Sequence, residues 1–207
     1  TPTRRQRQMC IRDSISMYRN EVTDLGAPVD SLNQPIFTGN VFGSGDFVAV
    51  TDIGLPIATF WGFETAGIYQ TDEEALADTA QANAVAGDVI FVDQNGDGVI
   101  NNEDKVVIGN PHPAFTYGFT AGAKYKNFDF NLFLQGSHGN DIYKGMFRYD
   151  LNTTNLPISA LDRWTGEGTS SDTPRVTHSD LNQNNRVSDR FIEDGSYLRI
   201  KSLMVGY

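Results

Sequence analysis

The stretch from Gly87 to Gly136, GDVIFVDQNGDGVINNEDKVVIGNPHPAFTYGFTAGAKYKNFDFNLFLQG, decides the fold. From Phe115 to Tyr125 the odd positions are Phe115, Tyr117, Phe119, Ala121, Ala123 and Tyr125, and small or polar residues stand between them. After Lys126-Asn127 the parity flips: Phe128, Phe130, Leu132 and Leu134 are apolar, while Asp129, Asn131 and Gln135 are polar, with Phe133 out of pattern. Period-two alternation marks strands with one apolar and one polar face. A flip across two residues is what an antiparallel hairpin requires. Counted outward from the turn, the register predicts Tyr125 opposite Phe128, Ala123 opposite Phe130, Ala121 opposite Leu132 and Phe119 opposite Leu134. On the other face it predicts Lys124 opposite Asp129 and Gly122 opposite Asn131, favourable cross-strand neighbours.

Two environments suit such a hairpin. Its apolar face meets a second sheet in a soluble sandwich, or lipid in an outer-membrane barrel whose polar face lines the lumen. Both arms are close to the 9–11 residues or so of a tilted membrane-spanning strand.

Outward from the hairpin, Ile15 to Leu25 reads as the end of a strand. Residues 26–114 form a very long connection with turn signals at Gly39-Asn40 and Gly43-Ser44-Gly45, and with strand-like pieces at Phe47–Thr51, Thr59–Phe63 and Asp88–Val92. Thr71 to Ala86 has the most helical character, with Thr71 as N-cap and acidic residues in the first turn. Residues 137–187 form a second long loop rich in Asn, Ser, Thr, Gly and Asp, and residues 190–207 a final strand. There the apolar parity slips from even (Leu198, Ile200) to odd (Leu203, Val205, Tyr207), which predicts a bulge near Lys201-Ser202.

The formal charge of −10 in 207 residues argues against nucleic acid as a partner, since phosphates demand Lys and Arg. No apolar run has the length of a membrane helix, a criterion that barrel strands evade. Cys10 is the single cysteine, and His112, His138 and His178 are spaced as surface residues, not as metal ligands. Thr1–Ser14 is basic, lacks periodicity and is set aside as foreign sequence joined to the domain at residues 15–207. Recovery of the encoding DNA with these codons in frame overturns that reading.

Asp93 to Asp104, DQNGDGVINNED, has calcium-loop spacing. Asp93, Asn95 and Asp97 offer side-chain oxygens, Gly98 a sharp turn, Val99 its carbonyl, Asn101 a side chain or water, and Asp104 the last carboxylate. Asp104 stands where a longer Glu is usual, and a strand before the loop argues against a helix-loop-helix unit. The alternative is a metal-free turn closed by Asx hydrogen bonds. Asp72-Glu73-Glu74 suits a helix start better than paired catalytic carboxylates. Asp162, Glu193 and Asp194 have no partner pattern, and no nucleophile triad or phosphate loop is present, so no catalytic residue is assigned. Trp61, Phe63, Tyr69, Tyr143, Tyr149 and Trp164 are aromatic candidates for stacking on sugars or peptides, or for ordinary loop packing.

Six pieces of the chain, taken in order, resemble the C-terminal barrel region of SusC/RagA-type TonB-dependent outer-membrane transporters. They are Asn20-Glu21-Val22-Thr23, GLPIATFWGFETAGIYQTDEEA from Gly54 to Ala75, the stretch from Gly87 to Pro111, the hairpin region through Tyr143, Arg163-Trp164-Thr165, and SDRFIEDGSYLRIKSLMVGY from Ser188 to Tyr207. The resemblance implies an all-β, antiparallel transmembrane barrel in the cell outer membrane, with residues 115–136 as a membrane hairpin and long extracellular loops. It also implies uptake of oligosaccharides, glycans or peptides, a SusD-like surface lipoprotein as partner, and energy through the TonB system. About four strands cannot close a barrel, so the chain reads as a fragment without plug or TonB-contacting segment. A soluble secreted calcium-binding β module for adhesion or carbohydrate binding is the alternative, and a secreted hydrolase a weaker third.

Overall fold

A computed structural model describes residues 8–26, 34–40, 46–145 and 158–207. In chain order its strands are β1 (Gln8–Ser16), β2 (Ile36–Asn40), β3 (Phe47–Thr51), β4 (Thr59–Gly62), β5 (Thr65–Ile68), β6 (Val89–Phe91), β7 (Val106–Gly109), β8 (Phe115–Tyr125), β9 (Phe128–His138), β10 (Asp141–Tyr143), β11 (Ile192–Asp194) and β12 (Tyr197–Gly206). One short α-helix, α1 (Asp72–Ala77), lies between β5 and β6. No described helix is long and apolar enough to cross a membrane. The chain divides into two compact units, one of Thr1–Asn20, Pro111–Ile142 and Asp194–Tyr207, the other of Glu21–Asn110 and Tyr143–Glu193.

The first unit is one antiparallel sheet in the order β1-β8-β9-β12. The β8–β9 register is the one the alternation predicts, from Tyr125 opposite Phe128 to Phe119 opposite Leu134. Lys126, first of the two connecting residues, has φ 58°, the positive value that primed hairpin turns require. The predicted bulge is present too: β12 pairs Ile200 with Leu134 and Ser202 with Phe133, leaving Lys201 as the extra residue. Because of it Leu198, Ile200, Leu203 and Val205 all share the face of Leu132 and Phe130.

Among the described residues of its unit, no second layer covers that face. Phe128 is 53% exposed, Leu203 57% and Val205 72%. Tyr207 adds a ring 4.8 Å from that of Phe128 near the turn end of the sheet.

Two expectations at the N-terminal end need correction. The strand expected over Ile15–Leu25 begins at Gln8 and ends at Ser16, and residues 17–26 are in no strand. Gln8–Ser14, set aside as lying outside the domain, are therefore within β1, which pairs with β8 from Gln8 opposite Lys124 to Ser16 opposite Thr116. Read against β8, Met9, Ile11 and Ile15 fall on the apolar face, interrupted only by Asp13, a pattern too broken to see in the segment alone.

The second unit holds the long connection over residues 26–114, whose strand-like pieces at Phe47–Thr51, Thr59–Phe63 and Asp88–Val92 become β3, β4 and β6. Those residues hold a four-stranded sheet, β2-β3-β4-β7, and the β5–β6 pair. Its core is small: Phe63, Val89, Phe91 and Ile100 form one cluster, and Tyr69, Ala75 and Ala84 another. Thr71 is the N-cap of α1 as expected, in a capping box with Glu74, but the helix stops six residues on. Asp78 adopts an extended backbone there, and its side chain accepts from the Ala80 amide (2.9 Å), starting a separate 3-10 turn. The turn signal at Gly43-Ser44-Gly45 lies outside the described residues.

Asp88, in this unit, is fully inaccessible. Arg175 clasps it with two hydrogen bonds, Nε to Oδ1 at 2.7 Å and Nη2 to Oδ2 at 3.2 Å. Asn184 Nδ2 (2.8 Å) and the Val85 amide (3.0 Å) complete the carboxylate's shell. A buried charge persists only with such pairing, because desolvation alone costs several kcal/mol.

Gly136 in β9 lies directly opposite Tyr117, whose ring covers it; a Cβ there would meet that ring and lie 2.6 Å from the Tyr197 carbonyl oxygen. We expect Gly136→Ala to destabilise the hairpin by about 1–3 kcal/mol. Denaturant titration in detergent micelles measures this, with Gly118→Ala as the milder comparison, since the nearest atom there is the Ser14 hydroxyl at 3.1 Å.

Candidate functional site

The loop from Asp93 to Asp104 folds around its own carboxylates. Asp93 Oδ1 accepts from the Gly96 amide (2.7 Å) and Oδ2 from the Gly98 amide (2.8 Å). Gly96 and Gly98 have φ of 74° and 81°, which only glycine adopts readily, and this lets both amides turn inward. Asn95 Oδ1 takes the Asp97 amide and Asp97 Oδ1 the Val99 amide, at 2.9 and 2.8 Å. Asn95 and Asn101 each direct a side-chain NH₂ to Asp97 Oδ2, at 3.1 and 3.4 Å.

Asp104 ends the loop from inside. It is fully buried; Oδ1 accepts from the amides of Gln94 (3.0 Å) and Asn95 (3.4 Å), and Oδ2 from that of Asn101 (2.7 Å). The Gly98 amide foremost, with those of Gly96 and Asp97 and the neighbouring Asp104 side chain, holds the Asp93 carboxyl below its ordinary value against the opposing effect of desolvation. All the expected ligand side chains are thus gathered in one loop, with their oxygens turned to its own N–H groups. Among the described residues no three His, Cys, Asp or Glu side chains are grouped so as to hold a metal ion.

The aromatic candidates are mostly packed. Phe63 and Tyr69 are buried, and burial foremost, with the hydrogen bond its hydroxyl donates to Asp78, raises the Tyr69 pKa far above the ordinary phenol value. Tyr143 sits between Phe60 and Phe191, with centroids 6.4 and 5.9 Å away. Trp164 covers Gly87, where a Cβ would lie 2.5 Å from the ring. Trp61 is half-buried in β4, and Tyr149 lies outside the described residues.

The acidic residues at the start of α1 have structural partners: Glu74 closes the capping box, and Asp72 accepts from the Ala86 amide (3.0 Å). Glu193 pairs with Lys144, and Asp194 accepts from the Ser196 amide (2.8 Å). Sequence reasoning missed the set around Asp88, namely Gln81, Arg175, Asn182 and Asn184. The only signals were an aspartate following Gly87 and the amide run Asn182-Gln183-Asn184-Asn185.

Two outcomes follow for the loop. Asp104→Ala strands three amide donors and should cost about 3 kcal/mol in denaturant unfolding. Asp93 has a depressed folded pKa, so its contribution is full above the unfolded carboxyl's pKa, near 4, and is lost as pH falls through the lower folded value. Acid titration of Asp93→Asn should therefore lack that part of the wild-type loss below about pH 4.

No family model matches the chain. It is 31% identical over 196 residues to TonB-dependent receptor P26 of Formosa agariphila, covering 93% of this chain and 19% of that protein. Over 157 residues it is 35% identical to TonB-dependent receptor P3 of the same organism, covering 74% and 15%. TonB-dependent receptor SusC of Bacteroides thetaiotaomicron is 31% identical over 119 residues, 57% of this chain and 11% of that one. The fold matches the structure of the RagAB peptide transporter with a TM-score of 0.67 at 20% identity, covering 95% of this chain and 20% of that one. The chain thus spans a fifth or less of the length of these relatives. With its open antiparallel sheet and the apolar face that sheet presents, the chain belongs to the TonB-dependent receptors of the SusC/RagA type.

Proposed function

We propose that the chain is part of an outer-membrane transporter that imports oligosaccharides, glycans or peptides, and that it is not an enzyme. The single observation that carries this reading is the uncovered apolar face of β1-β8-β9-β12, with Phe128, Leu203 and Val205 more than half exposed. Strands of 9 to 11 residues match the thickness of a bilayer core at the usual tilt. Lipid is the environment in which such a face is stable, and the opposite face, with Ser14, Thr116, Thr120, Asn131 and Gln135, suits an aqueous lumen. The peptide reading draws on likeness to the RagAB peptide transporter, and the glycan reading on the resemblance to the SusC/RagA type. A SusD-like lipoprotein at the outer surface and TonB as energy source belong to the proposal through the same relatives.

A structural calcium ion is the second element. Asp93, Asn95, Asp97, the Val99 carbonyl, Asn101 and Asp104 would hold it, hard oxygens of the kind calcium takes. Binding would exchange the Asn95 and Asn101 contacts to Asp97 for metal–oxygen bonds, and the ion would brace the loop.

The two elements are tested separately. Phe130→Trp and Asn131→Trp place a fluorophore on opposite faces at adjacent positions. In vesicles of brominated phosphatidylcholine, Phe130→Trp should be quenched several-fold more than Asn131→Trp; equal quenching would sink the lipid-facing assignment. Calcium at millimolar concentration should release or absorb heat in calorimetry and raise the unfolding temperature, and Asp93→Asn should abolish both effects. No response in the unaltered chain removes the ion from the proposal.

A further inference from the structure

Strand β6 has two edges, and among the described residues only one is paired with another strand. Residues Thr65, Gly67 and Ile68 of β5 take one side, and the Val92 amide just beyond donates to the Glu64 carbonyl on that side (3.0 Å). On the other side lie the amide and carbonyl of Val89 and the amide of Phe91, all in buried residues. Buried main-chain groups need partners, and a neighbouring strand normally supplies them.

Here side-chain amides take that strand's place. Asn184 Oδ1 accepts from the Val89 amide (2.8 Å), and Asn182 Nδ2 and Gln81 Nε2 both donate to the Val89 carbonyl (2.9 Å each). Gln81 Oε1 accepts from the Phe91 amide (2.6 Å). The three side chains are also bonded to one another, Gln81 Nε2 to Asn182 Oδ1 and Asn182 Nδ2 to Asn184 Oδ1, at 2.9 Å each.

Two of these three amides arrive from residues about 90 positions along the chain. Asp180 holds that segment's turn by accepting from the Asn184 amide (2.9 Å), and Gln183 takes a left-handed φ of 56° between the two asparagines. Arg186 then lies over Phe63 and Phe91, 5.2 and 5.4 Å from their centroids, while Arg175 carries the segment's charge to Asp88.

We infer that Asp180–Arg186 is a conformational latch: Asn182 and Asn184 complete the open edge of β6, so the second long segment closes on the first in a single cooperative step. Withdrawing either asparagine exposes the edge, and withdrawing Asn184 also takes one of the donors from the Asp88 carboxylate that Arg175 grips. The latch lies within one unit and does not depend on the transporter reading.

Hydrogen exchange of the full chain in detergent micelles tests this. With Asn184→Ala, peptides covering residues 89–91 and those covering 163–175 should both exchange about tenfold faster or more, while peptides from 115–138 stay unchanged. Faster exchange confined to residues 89–91 and 182–184 would show the segments to be independent and overturn the latch. A uniform rise that includes 115–138 would overturn it as well, by making Asn184 a contributor to global stability only. Should Asn184→Ala not fold, Asn184→Asp keeps the acceptor for Val89 and sets a carboxylate against Asp88. Joint opening of the two segments at neutral pH, reversed on acidification, is then expected, and its absence rejects the proposal.

Discussion

Parity governs the membrane-type sheet. In an antiparallel pair a side chain's face is decided by its position in the register, and a shift of one residue sends every apolar group to the wrong side. Four strands obey this together: Ile11, Ala121, Leu132 and Leu203 stand in one row across β1, β8, β9 and β12. The row holds only because Lys201 is passed over between Ile200 and Ser202. Without that extra residue, Leu198 and Ile200 would be on the face opposite to Leu203 and Val205.

The other unit is built on a different economy of interactions. Its apolar clusters are small, and much of its order comes from polar groups answering one another in places that water does not reach. Asp88, Gln81, Asn182 and Asn184 form such a network around β6, and Asp104 does the same on a smaller scale for the loop that follows. Networks of this kind specify one arrangement when every member is satisfied and are costly when one is not. They suit a segment with too few large apolar residues to define itself by packing.

This contrast explains what was legible in the sequence. The hairpin register, the bulge, the Thr71 cap and the strand Phe47–Thr51 all depend on neighbours in sequence or on a fixed period, and they can be read by counting. The pairing of the strands within residues 26–114 was not legible, because strands as short as Val89–Phe91 have too few residues to set a register and β4 pairs with β7 across more than forty residues. β1 was obscured by Asp13 and by the basic residues before it. The candidate metal loop was legible as a turn with regularly spaced oxygens. That Asp104 would be buried against three amides was not, since spacing says nothing of which way a carboxylate faces.

The bulge at Lys201 also bears on how chains of this type are aligned. A strand that spans a bilayer normally gains or loses residues in twos, since a single insertion would reverse inside and outside for everything beyond it. A bulge absorbs one residue and restores the phase. Where two homologues differ by an odd gap in the strand corresponding to Tyr197–Gly206, one of them should therefore carry the kink and the other not. Alignments that force a gapless match across Ile200 and Ser202 would pair bilayer-facing positions of one protein with lumen-facing positions of the other.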